Sequence, residues 1–109
     1  MSVSYAYEKL MIAVMTLATN RAEIKSRLQD AFISSLIHIR PDDLPEGELR
    51  DKLKTIKDDM TWTPAQGDEG TVAATVRGML DEDAQKIAER IVSLFLDVRR
   101  VDPIENGRA

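Results

Sequence analysis

The stretch "DEDAQKIAERIVSLFLDVRR", Asp81 to Arg100, decides the fold class. Ala84, Ile87, Ala88, Ile91, Phe95 and Val98 recur at the three- and four-residue steps that bring side chains onto one face of an α-helix. Val92, Leu94 and Leu96 broaden that face. Three acids open the stretch and two arginines close it, the order that complements a helix dipole at both ends. A helix this long, with so wide an apolar face, needs other helices to pack against.

Working back along the chain, the same periodicity supplies them. In "GTVAATVRGML", Val72, Val76 and Leu80 fall at spacing four with Ala73 beside them, which predicts a short helix closing near Gly78. Leu49, Leu53, Ile56 and Met60 form a narrow stripe among charged positions, the mark of a surface helix with one edge in the core. Pro45 suits its first turn, with Glu46 and Glu48 near the positive dipole end. Ile24, Leu28, Ala31, Phe32, Ser35, Leu36 and Ile39 share one face of a further helix. Asn20 and Glu23 have the spacing of a capping box at its start, and Pro41 forces its end.

The first helix, Val3 to Ala18, carries Val3, Tyr7, Leu10, Val14 and Leu17 on one stripe. Ala6, Met11, Ala13, Met15 and Ala18 widen the stripe until only Ser2, Lys9 and Thr16 keep a polar line. A helix apolar almost all round is either the centre of a bundle or faces a second chain on one side. With one or two residues between them, the first two helices should form a tight antiparallel hairpin. The expected fold is all-α: an irregular antiparallel helical bundle of four main helices plus one short helix. It occupies a single domain over residues 1–101, with a frayed tail at 102–109.

Composition excludes several chemistries. The 109 residues contain no cysteine, so there is no disulfide framework, thiolate zinc site or cysteine nucleophile. His38 is the single histidine, too few for a histidine-rich metal site and without a serine–aspartate setting. The net charge of −4 is distributed as +2 over residues 1–40, −7 over 41–83 and +1 over 84–109. An acidic middle disfavours nucleic acid and anionic membranes, both of which require a basic face. The apolar run in "KLMIAVMTLA" has the length of a signal-peptide core, but Glu8 interrupts the basic region before it, and the run is too short to span a bilayer. A cytoplasmic location is the expectation.

Four stretches resemble functional sites, and each has a structural explanation that fits its residues better. "MTWTPAQGDEGTV" (Met60 to Val72) has glycines and acids, yet Gly67 and Gly70 enclose Asp68 and Glu69 with no lysine after them, so the phosphate-loop template fails. Thr63 to Gln66 reads instead as a capped turn that Gly67 ends, with Asp68 or Thr71 capping the next helix and Trp62 packed over helix ends. His38, Asp42 and Asp43 are a poorly spaced metal set, and a histidine in the last turn of a helix suits the dipole there. The acidic pairs Asp58–Asp59 and Asp68–Glu69 and the run Asp81–Asp83 fit helix ends better than a catalytic cleft. Arg21, Lys25 and Arg27 alternate with Glu23 and Asp30 and lack an aromatic platform for nucleic acid.

What remains above background is apolar surface on the first helix. Tyr7, Leu10, Met11, Val14 and Met15, with Trp62, form the possible interface. The expected role is a protein-protein interaction or accessory protein without catalytic activity, homo-oligomeric through helix one, with no cofactor and no metal. An unidentified protein partner is the other candidate occupant. The alternative reading is a nucleic-acid-associated regulator that pools the basic residues of helix two in a dimer.

Overall fold

The computed structural model describes residues 3–65 and 70–101. Among these residues five α-helices pack against one another in an all-α, bundle-like globule: α1 (Val3–Thr19), α2 (Ile24–Ser34), α3 (Glu48–Met60), α4 (Thr71–Arg77) and α5 (Asp81–Val101). Two 3₁₀ turns, Leu36–His38 and Pro41–Asp43, lead from α2 to α3. The expectations for Gln66, Gly67, Asp68, Glu69, Ser2 and the tail 102–109 lie outside the described residues.

The long α5 is the hub, in contact with α1, α2 and α3, while α4 bridges α2 and α3. α1 and α5 run antiparallel, since Tyr7 near the start of α1 stacks on Phe95 near the end of α5, with ring centroids 5.3 Å apart. The core is built from Leu10 and Leu17 of α1, Leu28 and Phe32 of α2, Leu53, Ile56 and Met60 of α3, and Ile91, Leu94 and Val98 of α5. Burying such side chains contributes about 1.5–3 kcal/mol each, and they hold the bundle together.

Several local expectations give way to tertiary context. The buried line of α1 is Ala6, Leu10, Ala13 and Leu17, so Tyr7 and Val14 lie on its flank and not at its centre. Alanines at two of these positions let neighbouring helices approach closely. Asn20 does not cap α2: its Oδ1 accepts the Ala22 N–H at 2.8 Å and its Nδ2 donates to Asp30. The N-cap position is Glu23, without a side-chain cap. Four residues therefore separate α1 from α2, in a local asparagine turn. Helix α2 stops at Ser34 and not before Pro41: Ser35 leaves helical geometry, with φ −136° and ψ −67°, and a 3₁₀ turn follows. Leu36 and Ile39 stay buried, carried by the 3₁₀ turn instead.

Pro45 lies outside α3, which starts at Glu48 after Gly47. Gly47 has φ 110°, a backbone region closed to side-chain-bearing residues at ordinary cost. Thr71 is the first residue of α4 and not its cap; the cap position is Gly70, with no side-chain bond. The loop before α4 is tied instead by buried Thr75, whose hydroxyl donates to Thr71 O and accepts from Thr63 N at 3.1 Å. Thr63 is a bend, and no helical turn follows through Ala65. Leu80 lies beyond α4 and is 67% exposed.

Candidate interaction surface

The charged residues of the sequence are used largely inside the chain. Helix ends leave carbonyls without intrahelical partners, and here cations from other elements reach them. Lys25 Nζ donates to Arg77 O at the end of α4, and Arg27 Nη1 donates to Leu17 O in the last turn of α1. Arg50 Nε donates to Leu44 O, and Lys57 Nζ to Ile39 O, each just past a 3₁₀ turn. Two of the three side chains considered for nucleic acid are thus engaged as tertiary caps.

Carboxylates do matching work. Asp43 is buried and accepts the Arg40 N–H at 2.8 Å, closing its own turn. It points inward while His38 and Asp42 are exposed, so the set does not converge. Among the described residues no group of three or more histidine, cysteine, aspartate or glutamate side chains could hold a metal ion. Asp83 accepts the Leu80 N–H at the start of α5, and Asp59 pairs with Arg90 at 2.7 Å, tying α3 to α5. Lys52 bridges to Asp97 at 2.6 Å, and that hydrogen bond raises its pKa above the usual lysine value. Burial pushes Lys57 the other way, below the usual value, with Asp43 partly opposing.

The apolar surface has a definite place. Met11, Ile12 and Met15 lie on the outside of α1, with Met15 55% exposed. Val92 and Leu96 of α5, expected to broaden the core face, are exposed as well. At about 100° per residue, Val92 stands a quarter turn from Ile91, which faces the core. Between α1 and α5, where α2 adjoins them, runs a mostly apolar groove of ≈ 370 Å³, lined by Val14, Leu17 and Ala18 of α1, Ile24 and Arg27 of α2, and Gln85, Ala88, Glu89 and Val92 of α5. Val92 lines this groove, and Met11, Met15 and Leu96 are exposed on the same two helices.

The predicted interface residues divide accordingly. Met11 and Met15 are exposed, Tyr7 and Val14 are half-buried against α5, and Leu10 is fully buried in the chain's own core. Val92 and Leu96 complete the surface; their place was hidden in the sequence because α5 is apolar over more than one face. Trp62 is 76% exposed and does not pack over helix ends. It borders a separate cleft of ≈ 330 Å³ between the ends of α3 and α4 and the start of α5. There Arg90 pairs with Asp59 and Asp83 accepts the Leu80 N–H, while Lys86 also lines the cleft. Among the described residues no helix is long and apolar enough to cross a membrane. In comparisons with protein-family models, curated proteins and solved structures, nothing matches the chain.

Proposed function

We propose that this chain is a small protein-binding module without catalytic activity, and that its working surface is the outer face of the α1–α5 pair. The observation that supports this reading is the exposure of Met11 and Met15 on α1 and of Val92 and Leu96 on α5, two helices that share a mostly apolar groove. Single exposed apolar residues are ordinary, whereas a contiguous patch on two neighbouring helices marks a docking surface. Methionines suit that role, because their flexible thioethers adapt to the partner's relief. Several charged groups that could have carried chemistry are occupied instead: Lys25, Arg27 and Asp43 as caps, and Asp59 in an inter-helix pair.

A photo-crosslinking amino acid at Met15 tests the reading directly in cells expressing the protein. Irradiation should give discrete protein adducts from position 15 and none from Lys54, an exposed position on α3. Equal adduct patterns at the two positions, or none at Met15, would overturn the proposal.

A further inference from the structure

We infer that the partner of this face is a second copy of the chain, docked about a two-fold axis that crosses the helices, so that α1 meets α1 and α5 meets α5, each pair antiparallel. This rests on the reading of the face as a protein-binding surface and adds the occupant and its orientation.

Two independent features place the axis at the same height. The first is charge. α5 begins with Asp81 and Glu82 and ends with Arg99 and Arg100, with exposed Val92 and Leu96 between. Such an order is self-complementary only when a copy runs the opposite way, and the midpoint of Glu82 and Arg99 falls between Arg90 and Ile91. The second is apolar. The exposed Met11 and Met15 are centred on Ala13. Tyr7 stacks on Phe95, and Val14 and Ala18 share a groove with Ala88 and Gln85, which puts Ala13 level with Glu89 and Arg90. One axis therefore serves both helices: methionines meet methionines across it, and each acidic end of α5 meets a basic end.

The area sets the strength. α1 has 17 residues and so is about 25 Å long, and two helices about 10 Å apart present a face about 20 Å wide. That is on the order of 500 Å² per copy and 1,000 Å² in all, the lower edge for a specific interface. The dimer is accordingly weak, concentration-dependent and salt-sensitive. Glu89 lies nearest the axis and faces its own copy there, a like-charge contact that weakens it further.

Sedimentation equilibrium at low ionic strength tests this. The average mass should climb from 12.2 kDa toward twice that value as concentration rises. Glu82→Lys and Arg99→Glu should each weaken self-association about tenfold, because two attractions become repulsions. Mixing the two variants should restore association as a heterodimer, and the double variant E82K/R99E should restore the homodimer. A folding defect would persist in the mixture, so recovery isolates the interface. Glu89→Ala, a favourable helix residue at an exposed position, should tighten the dimer severalfold. Added salt should shrink all these differences. A dimer indifferent to the swaps, or a mixture no tighter than its components, overturns the antiparallel docking but leaves the protein-binding reading intact. A wild-type chain that stays at 12.2 kDa at every concentration overturns self-docking, and crosslinking at Met15 then decides whether another protein uses the face.

Discussion

Thr75→Val removes one hydroxyl and almost nothing else, at the point where the segment carrying Trp62 is fastened to the bundle. Thr75 is 2% exposed, and its Oγ1 serves Thr63 N at 3.1 Å and Thr71 O at 2.8 Å. Valine keeps the branched shape and a similar helix propensity, so no cavity opens and α4 is not weakened by its backbone. What is lost is the acceptor for Thr63 N, a donor in a half-buried residue. A net hydrogen bond contributes about 0.5–1.5 kcal/mol, and a donor left without its partner away from water costs about 1–3. Partial access to water at Thr63 moderates the second figure, which gives a destabilisation of about 1–2 kcal/mol. For a domain of this size that lowers Tm by roughly 5–10 °C. Urea unfolding followed by circular dichroism measures the loss, and the single tryptophan reports the loop separately. Its anisotropy should fall in the variant before global unfolding begins. A midpoint and anisotropy equal to wild type would show that the hydroxyl does not fasten the segment, and the reasoning would fail.

Glycine positions should separate by backbone conformation alone. Gly47 has φ 110° with open space around its Cβ position, so Gly47→Ala should cost about 1–3 kcal/mol from strain without any clash, read as a lower urea midpoint. Gly70 caps α4 from the extended region with equal space, so Gly70→Ser should stabilise the fold by about 0.5–1 kcal/mol, read as a higher urea midpoint. The two perturbed lysines should give opposite alkaline slopes in unfolding experiments. Lys57 has a folded pKa below its unfolded value of 10.5, so the unfolded chain binds the proton more tightly and stability rises as pH climbs through that lowered value to 10.5. Lys57→Met should remove this rise. Lys52 is raised, so its contribution is fully present below 10.5 and is lost as pH passes its folded value; Lys52→Met should remove that fall.

Helix existence was legible because apolar periodicity in α1, α3 and α5 is a property of the residues themselves, and each appears close to the expected bounds. Boundaries set by non-local bonds were not. The end of α2 goes with leucine and isoleucine reaching the core from a 3₁₀ turn. The segment before α4 is fastened by a threonine twelve residues from its partner. The candidate surface was half legible. Met11 and Met15 were identified from an over-wide stripe, yet the same stripe held Leu10, which the core takes entirely. Val92 and Leu96 could not be distinguished from core residues by period alone, since α5 contacts three helices and its faces differ only in which neighbour covers them. Trp62 ran against a general tendency of large aromatics to pack, and nothing local in "MTWTPA" signals its exposure.

The cations that terminate other helices bear on how the molecule comes apart. Lys25 of α2 closes α4, and Arg27 of α2 closes α1, so two helix ends depend on a third element being in place. Fraying therefore cannot begin at those ends independently. Amide exchange at the last turns of α1 and α4 should track the opening of α2, and the three should behave as one cooperative unit. A charge-by-charge alanine scan would then register Lys25 and Arg27 as folding residues, in positions that the linear sequence presents as ordinary solvent-facing charge.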